Sequence, residues 1–373
     1  MEKIKITSAI LLLSLLIAGC GDQRILEKQA FTMATSYDLA PKKEGESEDK
    51  LLVAIDIPKA DPEERMQRET LTAVAHTSKE ARIKFAGQTE LSIVSGQLRD
   101  TLFGIALAKN GIWEHIDTLV RDPSISQGVK VSVVKGSAHD LLVRNYPQHP
   151  RTGQYIDRML DKEAAVMTIP TVTIYDFTRD YFDDGIDPVA PILKEGEKNI
   201  SIDGIALFNK DRYVAKIEPE KSLIFAFLRQ NFRRGEISMA LFGEGEKKER
   251  LMFTSISNKR KIHVKRGGNN QIMVEIMLNI KGSVLEYTGK LKMSEEKDRK
   301  KLEKLMADYV MKEASIMVGK MQKHNVDSLG IGKYVRNSMS YKEWSTLGWH
   351  EVYPNVKVQC KANIKIKDFG KFK

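Results

Sequence analysis

With 373 residues the chain has room for two domains or three, and its single long apolar run, near the N-terminus, excludes a protein that crosses a membrane many times. Lys and Arg number 60 against 50 Asp and Glu, a formal net charge of +10. Only two cysteines occur, Cys20 and Cys360, which excludes a disulfide-stapled scaffold.

The N-terminus reads as an export signal. Lys3 and Lys5 form a short positive region, residues 10–17 (ILLLSLLI) an apolar one, and Ala18 and Gly19 supply the small residues a peptidase needs near its cut. The apolar run is shorter than the roughly 20 residues of a membrane-spanning helix. Leu16-Ile17-Ala18-Gly19-Cys20 has the pattern of a lipobox. Residues 1–19 are therefore expected to leave as a lipoprotein signal peptide, with Cys20 the new N-terminus, S-diacylglycerol-modified and N-acylated. An uncleaved anchor, or a chance cysteine in an ordinary signal, is the alternative. One acyl chain holds a protein to a bilayer only marginally, whereas two or three anchor it stably. Removing 19 of 373 residues leaves 354, a tethered water-soluble body. Outside the cytoplasm its basic balance suits anionic lipid headgroups or wall polymers better than nucleic acid; a generally basic solvated surface is the plainer reading.

In chain order, residues 31–39 and 51–57 read as strands around a charged turn, and 70–85 as a mixed, helical stretch. Residues 91–95 form a short strand candidate. Leu98, Thr101, Leu102, Ile105 and Ala108 recur at helical spacing over 97–109, and Asn110-Gly111 ends that helix. A helix over 112–120, a strand over 129–134 and helices over 138–144, 151–167 and 171–182 follow. Residues 183–199 (DDGIDPVAPILKEGEKN) shift in composition and mark the domain boundary, giving 20–197 (with room for two subdomains) and 198–373. The second half opens with a hairpin over 200–217 turning at Asn209-Lys210-Asp211, then a helix over 221–230. Strands are expected at 237–242, 249–257, 259–265 and 271–287. Ser294 caps a long helix with Glu295 and Glu296 in its first turn and Leu302, Leu305, Met306, Tyr309, Val310, Ile316, Met317 and Met321 as its apolar stripe. The closing segment alternates Val356, Val358, Cys360, Ala362, Ile364 and Ile366 with polar residues, so Cys360 sits on the packed face of a strand. These elements make an α+β, multi-domain fold of mixed sheets packed with helices, its C-terminal domain built from a mostly antiparallel sheet and one long helix.

Chemistry-bearing patterns are sparse. The seven histidines have no HxxxH or HExxH spacing, and Gly330-Ile-Gly332 alone is too weak for a dinucleotide fingerprint. Asp180, Asp183, Asp184 and Asp187 come nearest to a calcium loop. Phe182 then occupies a ligand position and Pro191 stands where the bidentate Glu belongs, so a solvated turn fits better. Residues 258–266 (NKRKIHVKR) could face phosphate headgroups or form a solvated strand face that resists edge aggregation. The lysines of residues 297–304 allow the same two readings. Trp344 and Trp349 either form a partner-docking surface or fill a small core. The expectation is a protein without enzymatic activity, cofactor or metal.

Several blocks in order resemble one family. Gly21-Asp22-Gln23-Arg24-Ile25-Leu26-Glu27 with Ala30-Phe31, then Ala108 to Ile112 with Leu119 to Pro123, then Ile202 to Phe208, are similar to segments of the Ger(x)C-type spore germination lipoproteins. So is the end of the chain, Asp327-Ser328-Leu329-Gly330-Ile331-Gly332 followed by Trp344, Trp349, Pro354 and a basic strand ending at Gly370. Gly21 stands where the family often has Trp after the lipidated cysteine, and Gln88 where it often has His. The resemblance implies the C subunit of a nutrient germinant receptor. Such a subunit partners multi-pass A-type and B-type subunits, with no nucleic acid, on the outer face of the cytoplasmic (spore inner) membrane. It is needed for the nutrient response, with no reaction attributed to it. A solute-binding lipoprotein of a transport system is the rival, and predicts two similar doubly wound lobes; an envelope hydrolase is a weaker one, lacking a nucleophile–base set.

Overall fold

The computed structural model describes residues 28–42, 49–59, 68–242, 248–267 and 271–370, so Cys20 and the signal segment lie outside the described residues. The first half runs β1 (Gln29–Phe31), β2 (Ala34–Leu39), β3 (Leu51–Pro58), β4 (Arg68–Ala75), α1 (Ser78–Ala86), β5 (Ser92–Val94), β6 (Asp100–Gly104), α2 (Ile105–Asn110), α3 (Trp113–Val120), β7 (Lys130–Lys135), α4 (Ala138–Val143), α5 (Thr152–Ala165), α6 (Ile174–Phe182) and β8 (Val189–Glu195). The second runs β9 (Ile200–Asn209), β10 (Arg212–Ile217), α7 (Ser222–Arg229), β11 (Ile237–Phe242), β12 (Lys248–Arg266), β13 (Ile272–Tyr287), α8 (Glu296–Lys323), α9 (Ile331–Arg336), α10 (Tyr341–Leu347), α11 (Trp349–Val352) and β14 (Lys357–Asp368).

Eight strands form one mixed sheet in the order β10-β9-β8-β7-β6-β2-β3-β4. Its four central strands, β8, β7, β6 and β2, are mutually parallel, and an antiparallel pair closes each side. Parallel strands need helical crossovers, which cover both faces and bury the strands on both sides. Phe103, Val131 and Val133 accordingly face one apolar cluster, while Leu102 and Val134 face another beneath α4 and α5. Four further strands make a second sheet, β11-β12-β13-β14. It is antiparallel except for the parallel β13–β14 pair. Helix α8, 28 residues or about 42 Å long, packs on one face of it.

This is the α+β architecture the sequence implies, with local differences. Residues 68–75 form β4 instead of the start of a helix. The β-branched Thr70, Thr72 and Val74 suit a strand, and the Thr77 side chain, accepting from the Glu80 N–H at 3.1 Å, starts α1 three residues later. Likewise 100–104 is β6, wholly buried. A strand buried on both faces has no alternation to read, so its apolar spacing passes for helical. The two strands expected at 249–257 and 259–265 are one, β12, bent where Ser255 takes φ 52° and the register with β13 shifts. Ile316, expected in the stripe of α8, is 58% exposed.

The boundary expected at 197/198 falls in the turn between β8 and β9, which are antiparallel neighbours in one sheet. The Asp-, Pro- and Gly-rich composition of 183–199 surrounds a strand whose Val189, Ile192 and Leu193 are buried. Helix α7 (SLIFAFLR), apolar all round, is buried at every position from 222 to 228 and packs against β12, where Asn258 Nδ2 donates to Phe227 O at 3.0 Å.

Candidate functional site

The acidic turn after α6 and the segment after α8 meet in the interior. Thr173 and Asp176 fix the start of α6 by a capping box, their side chains each accepting the other's backbone N–H at 3.2 and 3.1 Å. That helix delivers Asp180 to Asp187 against Asp327 to Tyr353. The Asp187 N–H donates to Asp327 O at 3.0 Å, and the Asp327 N–H returns a bond to Asp187 Oδ2 at 2.7 Å. The Asp327 carboxylate accepts from Ile331 N at 2.9 Å, Gly332 N at 2.6 Å and Trp349 Nε1 at 3.1 Å. Burial pushes its pKa up to about 7, opposed by these donors and reinforced by the charge of Asp187. Burial also raises the pKa of Asp187.

Two glycines let the backbones touch. A Cβ on Gly332 would lie 2.5 Å from Trp349 Nε1 and 2.8 Å from Gly185 Cα, and one on Gly185 would lie 2.7 Å from Lys333 N. Gly330 takes φ 68°, the left-handed conformation, ahead of α9.

The aspartates of the candidate calcium loop are each held by protein donors. Asp180 pairs with Arg229 at 2.9 Å and Arg179 at 2.8 Å, and Arg229 also donates to Ser328 O. Arg336 bridges Asp183 at 2.9 Å and Asp184 at 2.6 Å, and it holds the Asp183 carboxyl below the usual range against the opposing effect of burial. Among the described residues no cluster of His, Cys, Asp and Glu could hold a metal ion. Arg229 was not singled out by its residue type. Its signal is its place at the end of the all-apolar α7, where a charge must find a partner.

The tryptophan pair, whose residue type allows either a docking surface or a small core, lies in the core. Trp344 and Trp349 are 5% and 4% exposed, their rings 5.7 Å apart, with Tyr353 5.5 Å beyond Trp349. Trp344 Nε1 donates to Asp184 Oδ2 at 2.5 Å. Indoles are amphipathic, and here each apolar body is packed while its N–H serves an aspartate of the opposite segment. Aromatic rings that do reach the surface include Tyr341, 86% exposed, and Phe182, 68% exposed, which packs edge-on at 4.9 Å against the half-buried Trp113 that stacks on Tyr181 at 4.3 Å.

Cys360 is half-buried on the packed face of β14, and burial pushes its thiol up to about 12, which leaves it inert. In the basic stretch Lys259, Lys261, His263 and Lys265 are exposed. Arg260 points the other way, donating to Leu228 O and, at 2.9 Å, to the Tyr334 hydroxyl.

Comparison with known proteins places these features in a family. The model of the spore germination protein N-terminal domain matches residues 22–195, and that of the spore germination B3/GerAC-like C-terminal domain matches 203–370. Spore germination protein GerQC of Bacillus cereus is 25% identical over 362 residues, spanning 96% of this chain and 97% of that protein. The putative spore germination protein YfkR of Bacillus subtilis (strain 168) is 23% identical over 384 residues, 96% of this chain and 95% of that protein. The crystal structure of the GerBC protein superposes with a TM-score of 0.57 at 12% identity, covering 90% of this chain and 98% of that one, a likeness of fold.

Proposed function

The chain belongs to the Ger(x)C-type spore germination proteins, and from that premise we propose that it is the lipid-anchored peripheral subunit of a nutrient germinant receptor. A role in spore germination follows from the family itself. The finer reading is that the lipid on Cys20 holds the folded body on the outer face of the spore inner membrane. There it works through protein–protein contacts with membrane-embedded A-type and B-type subunits. The observation that carries this is the order of parts: a lipobox ending at Cys20, followed at once by both family domains from residue 22 to residue 370. Among the described residues no helix is long and apolar enough to cross a membrane, which suits attachment by lipid. We assign no reaction to the chain, because the buried acids of the central junction are committed to backbone and arginine donors. The solute-binding rival needs two similar doubly wound lobes, whereas the second sheet here is a four-stranded, mainly antiparallel one under a single long helix.

Deleting the gene in a strain stripped of other germinant receptors should abolish germination with at least one nutrient. Unchanged responses to every nutrient would overturn the receptor role. Cys20→Ala should give a folded protein that leaves the membrane fraction and impairs germination; normal localisation and germination would overturn the anchor alone.

A further inference from the structure

The second sheet has one face packed and one bare. The even-numbered residues of β12 and β13 from 258 to 280 turn toward α7, α8 and α9, and the odd-numbered ones turn away from them. Cross-strand register sets this bare face out in five rows of three across β12, β13 and β14, running from Ser257–Lys281–Lys365 to Lys265–Met273–Lys357. Strand β12 contributes Lys259, Lys261 and Lys265, and β13 contributes Lys281. Strand β14 contributes Lys357, Lys361 and Lys365. Against these seven lysines stands one carboxylate, Glu275, which Lys361 engages at 2.6 Å. The lysines are exposed, and the rows extend over roughly 27 Å of strand, about 5 Å apart across it.

We infer that this face of the second sheet docks against an anionic bilayer surface, its lysines contacting lipid headgroup phosphates. The inference rests on the membrane location proposed above and adds an orientation to it. Charge complementarity selects an anionic occupant, since like charges packed this densely in a sheet repel unless countered. The remaining composition selects lipid. Protein interfaces are depleted in Lys and anchored chiefly by Trp, Tyr, Phe and Arg, and the fifteen positions of the face hold seven Lys and none of those four. The same lack removes the stacking platforms that single-stranded nucleic acid uses. A flat polybasic surface whose apolar members among these fifteen positions are the half-buried Met273 and Met277, each flanked by lysines on both neighbouring strands, suits headgroups. Because α8 lies on the opposite side of the sheet, the lysines of its solvent face would point away from that bilayer.

Residues 20–373 carrying Cys20→Ala keep every described element and lack the acyl chains, so binding of this protein to vesicles reads the face alone. It should bind vesicles of phosphatidylglycerol and phosphatidylcholine, lose that binding as salt rises, and bind phosphatidylcholine vesicles at least tenfold more weakly. The variant Lys259→Gln/Lys261→Gln/Lys357→Gln/Lys365→Gln should lose roughly tenfold or more in affinity with an unchanged melting temperature. Lys297→Gln/Lys300→Gln/Lys304→Gln/Lys312→Gln on α8, which removes equal charge, should bind as the parent does. Absence of binding to the anionic vesicles, or equal losses in the two variants, would overturn the inference. So would capture by polyglutamate without vesicle binding, which assigns the face to an acidic protein. The gene-deletion phenotype is independent of all these outcomes.

Discussion

The two larger sheets spend their charge in opposite ways. The eight-stranded sheet is covered on both faces, and most acids buried around it have partners: Asp56 to Arg68 at 2.8 Å, Asp38 to the N–H groups of Ala138 and His139, Asp180 to Arg229. Asp100 of β6, buried with neither carboxyl oxygen hydrogen-bonded, is pushed by burial well toward its neutral form. The four-stranded sheet is covered on one face only, and its open face holds lysines with a single ion pair among them. A buried charge is tolerated only with its counterpart in place, so the first arrangement ties fold to pairing; an exposed charge contributes little to stability and is free to serve recognition.

Breaking one inward pair should give the largest effect. Arg229→Met keeps the aliphatic stem yet removes a guanidinium that holds both Asp180 and Ser328 O, and should cost about 3–5 kcal/mol in urea unfolding. Adding Asp180→Asn to it should recover part of that loss, because in the single variant the buried Asp180 keeps only the half-exposed Arg179 as its ion-pair partner. Next in size is Asp327→Asn, which turns an amide N–H₂ toward existing donors and should cost about 1–3 kcal/mol. Its effect carries a pH signature. The folded-state pKa, about 7, lies above the unfolded value near 3.9, so the folded state holds this proton more tightly. The resulting stabilisation is complete below the unfolded pKa and is lost as pH rises through about 7. Wild type should therefore gain on Asp327→Asn as the pH is lowered from about 8 to about 5; a gap that stays constant would show that Asp327 does not titrate there. The smallest effect belongs to the open face: Lys259→Gln should change stability by less than about 0.5 kcal/mol, and a larger loss would mean that this lysine is part of the fold.

How much of this was readable from the residues depends on how many faces an element shows to water. In β14 and the second half of β12 one face is packed, so Cys360 and Lys261 could be assigned their sides from alternation alone. In β6 both faces are packed, the alternation vanishes, and the apolar spacing of 100–104 reads as helical. Ser294, read as the cap of the long helix, stands one residue ahead of the observed N-cap Glu295, which makes no side-chain capping bond, whereas Thr77 and Ser340 do cap their helices. The junction was legible only in part. Its members stood out singly, Asp187 in an acidic turn and Asp327 ahead of a Gly-Ile-Gly, but they lie 140 residues apart in sequence. No local pattern announces a bond across that distance. For Trp344 and Trp349 the residue type left docking and core equally open, and what decided it was the presence of aspartates within reach of both indole N–H groups.

The continuity of the large sheet across residues 195–200 has a practical consequence for anyone cutting the gene. The two family domains abut in this stretch, yet the polypeptide passes through it as neighbouring strands of one sheet. A fragment ending at 197 would strip β9 and β10 from β8, baring a row of unpaired N–H and C=O groups beside the apolar Val189 and Ile192. Such an open edge recruits strands from other molecules, and the fragment would aggregate. Cutting after Ile217 instead takes the natural outer strand along with the rest.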